Sequence, residues 1–162
     1  STPIKSSAAS DVYKRQDQRK GAGKGMNTVD HNELMHMLSL ACAARERAYA
    51  PYSGFRVGAC LRASDGQYYL GCNIENAAYS VANCAERTAL FTAVYQGARS
   101  FDALAVACSG ERPAYPCGVC RQALSEFCDP QMPVAVCGAA GEAELTTLGA
   151  LLPHAFGGRN LT

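Results

Sequence analysis

The chain has 162 residues, 48% of them hydrophobic and 18% charged, with a formal net charge of +1. This length and balance fit one globular domain with a sizeable core. No run of about 18 apolar residues is present, and the N-terminus lacks the apolar stretch of a signal peptide, so neither a membrane span nor secretion is expected.

The first 25 residues hold six of the 15 basic and two of the 14 acidic groups, which leaves nine against twelve for the rest. A mildly acidic body suits a small uncharged partner better than a nucleic acid, whose phosphates require Lys and Arg. Residues 1–25, rich in Ser, Gly and basic groups, read as a disordered tail or upstream sequence, with the domain at 26–162. Gly21-Ala22-Gly23-Lys24-Gly25 lacks the spacing of a phosphate loop.

Asp30 followed by Glu33 marks a helix start, and Leu34, Met37, Leu38, Ala41, Ala44 and Ala48 recur at helical spacing until Pro51. His31 and His36 near its start read as surface residues. Arg56–Ala63 and Gln67–Cys72 read as strands joined by a turn at Ser64-Asp65-Gly66. Asn73, Glu75 and Asn76 at the strand end either solvate a turn or read a ligand. A helix is expected from Asn83 to about Gln96, stopped by Gly97. Ala103–Cys108 reads as a buried strand, 118–128 as a helix and Pro133–Cys137 as a strand, which together predict a parallel pair with a right-handed crossover. The glycine-rich 138–141 segment permits only a hairpin return through Glu142–Leu145, before a short helix over 147–152.

Nine cysteines is an odd number, against a disulfide framework and for a reducing compartment such as the cytoplasm. Cys42, Cys60, Cys72, Cys108, Cys128 and Cys137 have apolar neighbours and read as small buried hydrophobes. Cys84, Cys117 and Cys120 differ. They lie in Asn83-Cys84-Ala85-Glu86-Arg87 and Pro116-Cys117-Gly118-Val119-Cys120-Arg121, each at a predicted helix start. Helix N-termini favour thiolates, and three thiolates can hold zinc while leaving a fourth position for water. Glu86 is then a candidate general acid–base, although Asn83-x-x-Glu86 also reads as a capping pair. This is the minimum equipment for hydrolytic deamination of a nucleobase, in the three-cysteine variant. Arg87, or Arg121, is a candidate to hydrogen-bond a ligand sulfur and offset the charge of three thiolates. A structural zinc module stays open if Cys128 or His154 supplies a fourth ligand.

Five segments, in order, resemble the homotetrameric zinc-dependent cytidine deaminases: 49–59 (Tyr49-Ala50-Pro51-Tyr52-Ser53-Gly54-Phe55 at its start), 71–80, 84–90, 116–122 and 151–156. The resemblance spans about Asn32 to Phe156 and excludes the N-terminal tail. It implies a three-layer α/β/α sandwich with a five-stranded mixed sheet, and one zinc per subunit. The implied reaction converts cytidine and deoxycytidine to uridine and deoxyuridine with release of ammonia, in pyrimidine salvage. By matched position, Asn73 and Glu75 would bind ribose hydroxyls, Phe55 would pack on the pyrimidine or ribose, and the Ala85 main chain would contact the base. Tyr79 and Phe156 would approach from adjacent subunits of a homotetramer. Without the resemblance, Phe55 and Phe156 read as packing residues. A deaminase of another aminopyrimidine nucleoside, such as the blasticidin type, shares the cysteine and glutamate motif.

Overall fold

The computed structural model describes residues 29–161. The tail reading of 1–25 lies outside them. Five strands, β1 (Val57–Ala63), β2 (Tyr68–Cys72), β3 (Phe101–Cys108), β4 (Pro133–Cys137) and β5 (Ala143–Thr147), form one mixed sheet in the order β2-β1-β3-β4-β5. Only β3 and β4 pair in parallel; the other neighbours are antiparallel. The crossover between β3 and β4 is a helix, as the strand–helix–strand pattern predicts, and the 138–142 turn returns the chain antiparallel. Among the described residues no helix is long and apolar enough to cross a membrane.

Alternation along the strands sorts the core into two layers. Ala59, Leu61, Leu104, Val106, Val134 and Val136 face one side, against Leu90 of α2 (Ala85–Tyr95) and Leu124 of α3 (Gly118–Ser125). Cys60, Ala103, Ala105, Ala107, Ala135 and Cys137 face the other, beneath α1 (His31–Arg45). The result is an α/β/α sandwich. Small residues under α1 let that helix approach closely. A Cβ on Gly58 would stand 2.8 Å from Arg45 Cα and closer still to the Ala41 carbonyl. Gly71 of β2 meets α2 in the same way, since a Cβ there would stand 2.5 Å from Ala89 N.

Three helix boundaries differ from the sequence expectation, and each yields to a single bridge between distant segments. Helix α1 starts as expected, with Asp30 accepting from Glu33 N at 2.8 Å, but it ends at Arg45, well before Pro51. Tyr49 is drawn away by pairing with the strand end, where Tyr49 N donates to Asn73 O and Glu75 N to Tyr49 O. Helix α2 starts after Cys84, because Asn83 is held extended by two 2.9 Å main-chain bonds with Ile74. Helix α3 stops at Ser125, and Cys128 bridges Phe101 instead of extending it. Gly97 does stop α2, with φ of 100°. Strand β3 begins at Phe101 and β5 runs to Thr147, whose hydroxyl caps the short α4 (Leu148–Leu151) by accepting from Ala150 N at 3.2 Å.

Candidate active site

Cys84 is the N-cap of α2 and Cys117 the N-cap of α3, while Cys120 lies in the first turn of α3. The two helix starts meet, so dipoles and unpaired N–H groups point at one place. Neither N-cap side chain takes a helix hydrogen bond, which leaves the sulfurs for other work. Cys84 Sγ and Cys117 Sγ are 3.8 Å apart, Cys117 Sγ and Cys120 Sγ 3.6 Å, and all three lie within 4.8 Å of one another. Thiolates at about 2.3 Å on a tetrahedral zinc stand about 3.8 Å apart, so the trio fits that ion. Among the described residues no fourth Cys, His, Asp or Glu joins them. Cys128 is buried elsewhere and His154 is exposed, so neither supplies the fourth ligand of a structural site.

The trio is electrostatically primed. The Cys84 thiol is pushed down to about 5, chiefly by a hydrogen bond from Cys120, with Arg87 and Cys117 adding to it against the effect of burial. The Cys120 thiol is pushed up by that same bond and by burial. A divalent metal bound there displaces the thiol protons that remain.

Glu86 stands in the first turn of α2, only 4% exposed, and is the charged residue buried among those described. Burial raises its carboxyl to about 7, with the Cys84 charge adding to the rise. It is not a capping residue for Asn83, whose amide donates instead to Thr88 Oγ1 at 3.1 Å. Arg87 Nη2 donates to Cys84 Sγ at 3.6 Å. Arg121, the other candidate for that role, is committed to main-chain carbonyls, with Nε to Pro116 O at 2.6 Å and Nη1 to Leu151 O at 2.8 Å.

Asn73, Glu75 and Phe55 form a second group, joined to the trio by the Ile74–Asn83 bridge, whereas Ala85 lies apart from it on α2 and Phe156 beside α3. Asn73 Oδ1 accepts from Val57 N, and Asn73 Nδ2 donates to Phe55 O, both at 2.8 Å. Glu75 accepts from Tyr52 N at 2.8 Å, Ser53 N at 3.2 Å and the Ser53 hydroxyl. The Ser53 bond is the first of the causes that lower its carboxyl. Asn76 Oδ1 accepts from Ala78 N at 2.8 Å, so all three polar side chains hold main chain. Phe55 is half-exposed beside Gly110, on the loop that leads to Cys117. Tyr79 is 78% exposed, its ring edge-on to Tyr52 at 6.3 Å. Phe156 is exposed, and its carbonyl accepts from Gln122 of α3 at 2.9 Å. Ala85 is fully buried at the first position of α2. Sequence reasoning missed Ser53, whose hydroxyl also accepts from Phe55 N at 3.0 Å. A hydroxyl ahead of a glycine turn carries no signal of the carboxylate it will meet.

Fold and trio together define a three-layer α/β protein built to hold zinc through three thiolates. Residues 30–136 match the family model described as the cytidine and deoxycytidylate deaminase zinc-binding region, and the chain belongs to that family. A cytidine deaminase of Sporosarcina psychrophila is 57% identical over 119 residues, 74% of this chain and 88% of the relative. One from Halalkalibacterium halodurans is 47% identical, over 74% of this chain and 91% of the relative. The crystal structure of cytidine deaminase from Burkholderia pseudomallei superposes with a TM-score of 0.73 at 46% identity, covering 78% of this chain and 99% of that one.

Proposed function

We propose that this chain hydrolyses cytidine and deoxycytidine to uridine and deoxyuridine, with release of ammonia. The observation that carries the reading is a buried carboxyl, raised to about 7, two residues from Cys84 in a three-sulfur group. Cys84, Cys117 and Cys120 hold the zinc, one per subunit. Zinc held there supplies Lewis acidity, which makes water nucleophilic near neutral pH. Glu86 is poised to change protonation at working pH. Its carboxylate takes a proton from the attacking water and delivers protons to the ring nitrogen and the departing amine. Arg87 offsets part of the negative charge that three thiolates bring.

Asn73 and Glu75 receive the ribose hydroxyls, Phe55 lies against the pyrimidine or ribose, and the Ala85 main chain meets the base. Tyr79 and Phe156 reach the site of an adjacent subunit in a homotetramer. Exposed apolar residues on and around α2 and α3 support that assembly: Tyr79, Val81, Phe91, Tyr95, Val119 and Phe156. Nine unpaired thiols support a reducing cytoplasm and a role in pyrimidine salvage. Residues 26–162 are the deaminase domain, and 1–25 stand outside it.

The test is direct. Zinc-loaded protein mixed with cytidine should yield uridine and ammonia in equal amounts, and chelation should stop it. Glu86→Gln should keep its zinc and lose roughly 10²–10⁴ in rate. A zinc-loaded protein that leaves cytidine intact, or an active Glu86→Gln variant, overturns the proposal.

A further inference from the structure

Arg121 and Gln122 follow Cys120 directly on α3, and both aim their side chains at main chain. Arg121 Nε donates to Pro116 O at 2.6 Å, and its Nη1 donates to Leu151 O at 2.8 Å. Gln122 Nε2 donates to Phe156 O at 2.9 Å. Pro116 is fully buried just ahead of Cys117, and Leu151 is the last residue of α4. One helix turn thus carries a sulfur of the trio and grips the 151–156 segment at both its ends. Burial does not fix that segment, since Pro153, His154, Ala155 and Phe156 are all exposed. Between the two grips His154 adopts φ of 56°. A histidine enters this left-handed region more readily than most residues, but the conformation persists only where its surroundings over-determine it. The two grips supply that constraint.

We propose that Arg121 and Gln122 are positioning residues: they clamp 151–156 to the turn bearing Cys120 and set the direction in which Phe156 projects. The inference rests on the reading that Phe156 reaches the substrate of an adjacent subunit. Gln122 fixes the Phe156 main chain, so the ring leaves the surface at one angle. Arg121 holds the end of α4 with one nitrogen and the peptide ahead of Cys117 with another. The metal loop and the substrate-facing segment thereby share one guanidinium. Arginine suits this role because its planar fork sets separate donors in fixed directions, whereas a lysine ammonium offers a single centre.

The test uses zinc-loaded full-length protein. Gln122→Glu keeps the shape of the side chain and removes its donor. Hydrogen–deuterium exchange of peptides spanning 151–157 should quicken about fivefold, the effect of one lost hydrogen bond, with zinc content unchanged. Arg121→Lys should quicken the same peptides and also surrender zinc to 4-(2-pyridylazo)resorcinol several-fold faster than Gln122→Glu does. With cytidine, Gln122→Glu should raise KM about fivefold with little change in kcat. Phe156→Ala should raise KM at least as much, and adding Gln122→Glu to it should raise KM no further, because the two act as one unit. Unaltered exchange in Gln122→Glu, or a KM effect that multiplies with that of Phe156→Ala, would overturn the clamp. Equal zinc loss from Arg121→Lys and Gln122→Glu would overturn the link to Cys117. An unchanged KM in Phe156→Ala would instead defeat the reading of Phe156 as a substrate contact, and exchange alone then decides the clamp.

Discussion

Replacing Gly71 with alanine tests how the sheet positions the site. The new Cβ would stand 2.5 Å from Ala89 N and closer still to the carbonyl of Ala85, the residue between Cys84 and Glu86. Ordinary contact begins at 3.4 Å, so α2 must retreat by about 1 Å. Overpacking of this kind costs about 1–3 kcal/mol, and removing a strand glycine returns only about 0.5–1 kcal/mol. The melting temperature should therefore fall by several degrees, at roughly 2–4 °C per kcal/mol. A shift of about 1 Å in catalytic groups costs on the order of 10²-fold in rate. Gly58→Ala is the matched control, because its clash falls on Ala41 and Arg45 of α1, on the opposite face. Both variants should melt early when loaded with zinc. Below both transitions, ammonia release per folded molecule should drop about 10²-fold in Gly71→Ala alone. Turnover in Gly71→Ala within twofold of Gly58→Ala would refute the claim that β2 sets the position of Cys84 and Glu86.

Three further outcomes follow from the same geometry. Arg87→Gln removes the cationic donor to Cys84 Sγ; a hydrogen bond to a charged group is worth about 1.5–3 kcal/mol, so kcat should fall roughly 10- to 150-fold with zinc still bound, and an unchanged rate would refute the charge-balancing role. Ser53→Ala should raise KM for cytidine several-fold with little change in kcat, because Ser53 orients both Glu75 and Phe55; Ser53→Thr should restore KM, and a loss confined to kcat would refute the positioning role. Burial pushes the Cys60 and Cys128 thiols up to about 12 from an ordinary value of 9.0. Between those values the unfolded chain has lost both protons and the folded chain keeps them. Stability is therefore whole below pH 9 and declines as pH rises, by about 1.4 kcal/mol per pH unit per thiol. Denaturant titrations from pH 8.5 to 10.5 should show a shallower decline in Cys60→Ala/Cys128→Ala, and an unchanged slope would refute this assignment.

The strands were legible because each is a local signal. Ala103–Cys108 and Pro133–Cys137 are short apolar runs, and a glycine-rich linker as short as 138–141 allows β5 only an antiparallel return, whereas the three-layer arrangement was implied by the family resemblance alone. The boundaries of α1, α2 and α3 were not legible. Each is decided by one main-chain bridge, Tyr49 to Ile74, Ile74 to Asn83 and Phe101 to Cys128, whose partner no local window contains.

The site shows why this distinction matters. Cysteine spacing exposes the trio, because two thiols three apart at a helix start can reach one ion. The carboxylate is harder to read. With Asn83 as the N-cap, Glu86 would fall at the third helical position, where it reaches back and caps. The Ile74 bridge holds Asn83 extended and moves the N-cap to Cys84, so Glu86 becomes the second helical residue and cannot complete that box. It turns inward and is buried, and burial is what lifts its carboxyl to about 7. One strand-end residue, Ile74, thus turns a capping sequence into the buried carboxyl proposed as the acid–base group. The same bridge ties Asn73 and Glu75 to the chain that carries Cys84, so a single pair of main-chain bonds couples the proposed ribose contacts to the metal ligand.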